Sequence, residues 1–201
     1  MTDIVCPEGG EVVVDGRRAV RLRSGRVVWK DERAEVFGEW FGARFAPQYL
    51  VTFTHDPRKT ARRRLLARGV MAPSEGLVVA ESQRAVTHEV FASWVLRFVR
   101  RLERRGARPV YAVGGTESFK SGDAHAHLAL SVGDEARFGD VAMMHSLWYD
   151  RYGVIKAERV REVVDVVRYA TKYVFKDIDR GAWLMSPALL GRMRRGVVRL
   201  P

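Results

Sequence analysis

Residues 109–132, PVYAVGGTESFKSGDAHAHLALSV, hold two short apolar runs joined by a polar, glycine-bearing connection. Pro109 to Gly115 reads as one strand and Ala124 to Val132 as the next, alternating at first. On a strand, residues two apart point to the same side, so His125 and His127, flanking Ala126, share a face. If the two runs pair as neighbours, Glu117, just past the first, meets both imidazoles at one end of the sheet. Two histidines and a carboxylate leave positions on a divalent ion open for water and substrate oxygens. That donor set suits Mn2+ or Mg2+ polarising a phosphodiester better than a closed structural zinc site. The His-x-His spacing also serves unrelated metal enzymes, and Glu117 reads equally well as an acid on a surface loop.

The surrounding chain gives these strands a context. Upstream, Tyr49 to Thr54 (YLVTFT) is a buried-strand candidate. The basic stretch after it, HDPRKTARRRLLARG, reads as a helix start or a DNA-facing loop, and residues 69–84 as connection. Residues 88–105 form the clearest helix, because Phe91, Trp94, Val95, Phe98 and Leu102 recur on one stripe. Downstream, 140–150 reads as a short helix, 154–160 as a strand and 161–177 as a second good helix. Near the start, residues 11–29 alternate β-branched runs with Asp-Gly and Ser-Gly, the pattern of a small β-meander. Strand, helix, strand, strand, helix in one chain predicts an α+β fold with helices packed on one face of an antiparallel sheet and the other face open. The expected division is a β-rich extension over 1–40, the main domain over 41–180 and a basic tail over 181–201.

Composition narrows the partners. The 201 residues carry a formal charge of +11, and 47% are hydrophobic, enough for a core. So basic a chain favours a polyanion, nucleic acid before an anionic membrane surface. Arg far outnumbers Lys, so a base composition favouring Arg codons is a competing explanation. Cys6 is the sole cysteine, which excludes an internal disulfide and a cysteine zinc cluster and suits a reducing cytoplasm. No apolar run approaches the roughly 20 residues of a membrane span, and the first residues do not read as a signal peptide. Arg58, Lys59, Arg62, Arg63 and Arg64 are the densest positive cluster and a candidate grip on the DNA backbone. The alternative is a solvated basic helix face.

The helix over 161–177 adds a second constellation. Tyr169, Lys172, Tyr173 and Lys176 fall at i, i+3, i+4 and i+7 on one stripe, apart from the apolar stripe of Val163, Val167, Ala170 and Val174. A phenol is a weak nucleophile at neutral pH, with a reference pKa of about 10, and a nearby ammonium favours the phenolate. The same ammonium can hold a phosphate. Read structurally, the two tyrosines would simply edge the core.

In this order the motifs resemble the HUH endonuclease superfamily, closest to rolling-circle replication initiators of small plasmids and single-stranded DNA phages. YLVTFT resembles the first strand motif. Glu117 with HAHLAL resembles the metal motif, with Ala126 where a larger residue is usual. RYATKYVFK resembles the two-tyrosine motif, and WYDRYGVIKAERV the stretch before it. The resemblance spans about residues 48–177. It implies a ferredoxin- or RRM-like sheet of about five antiparallel strands, and a divalent ion on Glu117, His125 and His127. It further implies Tyr169 and Tyr173 as alternating nucleophiles, assisted by Lys172 and Lys176, with Tyr169 slightly preferred as the first because its Lys172 and the small neighbouring Ala170 leave room for DNA. The implied product is a 5′-phosphotyrosine link with a 3′-hydroxyl that primes a polymerase. The substrate would be single-stranded DNA or an origin hairpin in the host cytoplasm. With neither a zinc ribbon nor a fused helicase expected here, unwinding falls to a host helicase. A relaxase or single-strand transposase would share the active site. A non-catalytic nucleic-acid-binding module would explain charge and fold but not the Tyr-x-x-Lys pairs. An unrelated His-x-His metalloenzyme would explain neither the charge nor the tyrosine helix.

Overall fold

The computed structural model describes residues 11–14, 17–21, 27–29, 33–106, 108–118, 124–133, 138–161, 163, 170 and 183–195. Strands β1 (Glu11–Val14), β2 (Arg17–Arg21) and β3 (Val27–Trp29) form a small antiparallel sheet in that order, the meander expected over 11–29. The second sheet has five antiparallel strands in the order β7-β4-β6-β5-β8. These are β4 (Tyr49–His55), β5 (Tyr111–Ser118), β6 (Ala124–Ser131), β7 (Gly153–Arg159) and β8 (Trp183–Met185). The fold is therefore α+β around a five-stranded antiparallel sheet, as the strand pattern and the resemblance implied.

One face of that sheet is dry. In β4, Tyr49, Val51 and Phe53 are fully buried and point to the same side. Helix α4 (His88–Gly106) lays Phe91, Val95, Phe98 and Leu102 against them, as its stripe predicted, while Trp94 is half-buried. Helix α5 (Phe138–Tyr149) adds Met144, Leu147 and Trp148. Phe53 meets Phe98 and Trp148 edge-on, with ring centres 5.0 and 4.8 Å apart. The Trp148 indole donates to the Thr54 carbonyl at 3.1 Å, so its one polar atom is satisfied in the core.

The opposite face is not wholly open. Helix α1 (Arg33–Phe45) packs Trp40, Phe41 and Phe45 with Val113 of β5, Ala129 of β6 and Leu189 of α6 (Pro187–Arg194). Val163 and Ala170 join this cluster, and a Cβ at Gly42 would stand 2.8 Å from Val163 Cγ1, so α1 approaches there because position 42 has no side chain. The apolar side chains of this face lie toward one end of the sheet; the other end is polar.

Three expectations change. The division at residue 40 falls inside α1, whose aromatic residues belong to the second core. Residues 183–195, expected within a tail, are instead ordered into elements: β8 pairs with β5 through Val113↔Met185, Gly114↔Leu184 and Gly115↔Trp183, and α6 follows it. A three-residue strand has too little periodicity to be legible, and its partner lies some seventy residues upstream. The connection expected over 69–84 contains α3 (Glu75–Ser82). The Ser74 hydroxyl accepts from the Leu77 amide, and Val78 packs on Ala61 and Leu65 of α2 (Pro57–Ala67), contacts that outweigh the low helix propensity of Gly76.

Candidate metal centre

The β-ladder itself assembles the site. Residues opposite each other on antiparallel strands project to one side. Glu117 pairs with His125, and His125 with Thr54 of β4, in a single cross-strand row. The row below joins Gly115, His127 and Thr52. Ala129, two residues beyond His127, lies in the second apolar cluster, so the histidines occupy the polar end of that face. Alternation sends Ala124, Ala126 and Leu128 into the other core. Gly114 lets β5 close on β6, because a Cβ there would fall 1.8 Å from the His127 carbonyl oxygen.

The geometry brings together the three residues expected to hold a metal. Glu117 Oε1 contacts His125 Nε2 and lies 3.1 Å from His127 Nε2. The imidazole rings stand nearly perpendicular, 84° apart, with centres at 5.0 Å. Ligand atoms of all three lie within 4.8 Å of one another, the one such His, Cys, Asp or Glu group among the described residues. Both histidines are 5% exposed, while Glu117 keeps 18% of its side chain exposed, so the centre reaches solvent through its carboxylate.

A residue the sequence reading passed over completes the arrangement. Thr52 Oγ1 lies 3.0 Å from His127 Nδ1. A hydroxyl both donates and accepts. With Nε2–H donating to Glu117, Thr52 donates to Nδ1. With the proton on Nδ1, Thr52 accepts it and the Nε2 lone pair turns toward the other two ligands. A partner on the remote nitrogen is what orients a metal-binding histidine. The alternation in YLVTFT signalled this position, since Thr52 and Thr54 are the polar residues of that strand.

Electrostatics prepares the nitrogens for a cation. Burial pushes the His125 pKa down to about 4, with the nearby His88 charge adding to the effect. His127 is also lowered, first by burial and then by His125, against the opposing hydrogen bond and charge of Glu117. Both rings are thus neutral near pH 7, and little proton competition stands against a metal ion. The donor set fits one: three converging lone-pair atoms of mixed nitrogen and oxygen type, held by backbone pairing rather than by flexible loops.

The other histidines stand apart. His55 ends β4 at the same end of the sheet but is buried on the opposite side, 5.9 Å from the Phe91 ring. His88 Nδ1 lies 2.9 Å from Thr116 Oγ1, and His145 is exposed on α5.

The basic cluster is a capped helix. Asp56 accepts from the Arg58 and Lys59 amides, and Pro57 occupies the first turn. Arg58 and Arg62 pair with Glu75, while Arg64 pairs with the buried Glu81. Lys59 and Arg63 rest on the Tyr149 and Tyr152 rings.

Tyr169, Lys172, Tyr173 and Lys176 lie outside the described residues. Of the helix expected over 161–177, Val163 and Ala170 are described, and both sit in the second apolar cluster. Ala170 is fully buried. No family model, curated protein or solved structure matches the chain, so the likeness to HUH endonucleases rests on the motifs. Among the described residues, no helix is long and apolar enough to cross a membrane.

Proposed function

We propose that this protein nicks and rejoins single-stranded DNA at a replication origin by metal-assisted tyrosine attack, starting rolling-circle replication. The observation that carries the reading is the convergence of Glu117, His125 and His127 on the sheet face against which Val163 and Ala170 pack. The +11 charge supports a polyanionic substrate.

Glu117 Oε1 and the two Nε2 atoms would hold a divalent ion, Mn2+ or Mg2+, which when bound supplies Lewis-acid polarisation of a phosphodiester. The phenol oxygen of Tyr169 or Tyr173 forms a bond to phosphorus as the bond from phosphorus to the 3′ oxygen breaks. The phenolic proton leaves to solvent, and the departing oxygen takes one up as a 3′-hydroxyl. Lys172 and Lys176 favour the phenolate and offset phosphate charge. The 5′-phosphotyrosine conserves the bond energy, so a second hydroxyl can reverse the step. The 3′-hydroxyl primes a host polymerase, and a host helicase unwinds the duplex.

The test is a denaturant-resistant protein–DNA band formed with single-stranded oligonucleotides from the cognate replicon and Mn2+. The band is expected for wild type and lost in the Tyr169→Phe/Tyr173→Phe double variant and in His125→Ala. The single tyrosine variants rank the nucleophiles. Absence of any adduct or cleavage, with Mn2+ shown to be bound, would overturn the proposal in favour of a non-catalytic nucleic-acid binder.

A further inference from the structure

The cations of α2 fall into two groups. Carboxylates of α3 take one of them: Glu75 holds Arg58 and Arg62, and Glu81 holds Arg64 together with Arg68 and Arg84. Lys59 and Arg63, one helical turn apart, face the end of α5 instead. Lys59 Nζ donates to the Tyr149 carbonyl at 2.9 Å and lies 3.4 Å from the centre of that ring. The Arg63 guanidinium lies 4.8 Å from the centre of the Tyr152 ring and donates to the Arg151 carbonyl at 3.4 Å. Tyr152 in turn stacks on Trp94, with ring centres 5.0 Å apart and planes 17° from parallel. Aromatic faces and carbonyls orient a cation without cancelling its charge. Among the described residues, neither Lys59 nor Arg63 has a carboxylate partner.

Tyr149 remains 54% exposed, and Arg151 beside it is exposed as well. The result is an aromatic ring with Lys59 on one face and more than half of its residue surface open to solvent, beside the exposed Asp150 and Arg151. We propose that this patch binds single-stranded nucleic acid, with a base stacked on Tyr149 and the flanking phosphates on Lys59, Arg63 and Arg151. An acidic peptide would satisfy the cations but has no use for the ring. Unstacked bases need such a platform, and a duplex hides theirs.

The patch lies where a substrate strand would need it. Helix α2 leaves β4 directly after His55, and Tyr149 to Tyr152 lead into β7 at Gly153, the partner of His55. The row that holds His125 crosses β4 at Thr54 and β7 at Val154, which is 58% exposed. Two strand spacings separate His125 from Val154, about 10 Å. Patch and metal centre therefore share one end of the sheet. The choice of polymer rests on the nicking reading above; the binding itself does not require metal.

The test is fluorescence anisotropy of a labelled single-stranded oligonucleotide of mixed sequence, in chelator so that no cleavage intervenes. Tyr149→Ala should weaken binding roughly fivefold or more, while Tyr149→Phe keeps it. Lys59→Gln and Arg151→Gln should each lower the slope of log affinity against log salt by roughly 0.7. The same sequence as duplex should be indifferent to Tyr149→Ala. Wild-type affinity in Tyr149→Ala, unchanged salt slopes, no binding by wild type, or equal competition by polyglutamate would each overturn the proposal. Circular dichroism melts check that the variants fold. If these binding effects appear but Mn2+ yields no covalent adduct, the nicking mechanism fails and the patch stands.

Discussion

Phe53 and Thr54 are consecutive residues of β4, and they enter opposite worlds. Phe53 is buried among Phe98, Trp148 and the rest of the larger, mainly apolar core. Thr54 faces the other way, in the row of His125 and Glu117. The pleat forces this separation, because successive side chains leave a strand on opposite sides. The dry face is built for stability: aromatic rings bury large areas and interlock. The polar row works against stability, since it buries ionisable groups whose charged forms lose hydration. A fold that retains such a row against its own stability is best explained by something the row binds.

Substitutions on the two faces should therefore have opposite signatures. The largest effect belongs to the dry face. Phe53→Ala should cost about 3–5 kcal/mol in urea unfolding, the price of a lost ring and the cavity it leaves. A loss below about 1 kcal/mol would mean the core collapses into the gap and the contrast is weaker than drawn. On the polar face, His125→Ala should leave unfolding stability within about 1 kcal/mol of wild type, having removed a buried polar group. The same change should lower Mn2+ affinity by about 100-fold or more in titration calorimetry, beyond what loss of an orienting partner costs. If instead it unfolds the protein and leaves Mn2+ affinity intact, the row is structural.

Thr52→Val keeps shape but removes the partner of His127 Nδ1, and should weaken Mn2+ about 10-fold. Thr52→Ser should restore it, which a purely packing role would not predict. A further effect is one of pH. In chelator, the folded pKa of His125 is about 4, below the unfolded value of 6.5, and His127 shifts the same way. As pH falls the unfolded chain takes up protons first, so this stabilisation is complete above about 6.5 and declines toward 4. The melting temperature should drop over that window by roughly 2–4 °C for each 1 kcal/mol lost. His125→Gln should flatten the curve, and an equally steep one would assign the dependence to other groups.

Much of this was legible along the chain. The stripe of α4 and the alternation of β4 and β6 follow from local periodicity, as does the shared face of His125 and His127. Helices α1 and α3 were not legible in that way. Their amphipathic signals are weak, and what stabilises them is distant: Trp40 and Phe41 against Val113 and Ala129, and Val78 against Ala61 and Leu65. Strand β8 exists because β5 offers it an edge.

The charges divide along the same line. From sequence, Arg58, Lys59, Arg62, Arg63 and Arg64 form one undifferentiated basic run. Folding sorts them, because α3 brings Glu75 and Glu81 to three of these side chains, while the end of α5 and the turn after it bring tyrosine rings to the other two. Sequence alone determined what repeats within a few residues: the faces of strands, the stripe of the longest helix, the total charge and the types of side chain proposed to hold a metal. Tertiary structure decided the rest: that Glu117 stands opposite His125, that Thr52 meets His127, and which cations keep their charge. Each of those depends on strand register or helix docking between distant segments, and the energies that set them come from burial and pairing rather than from local preference.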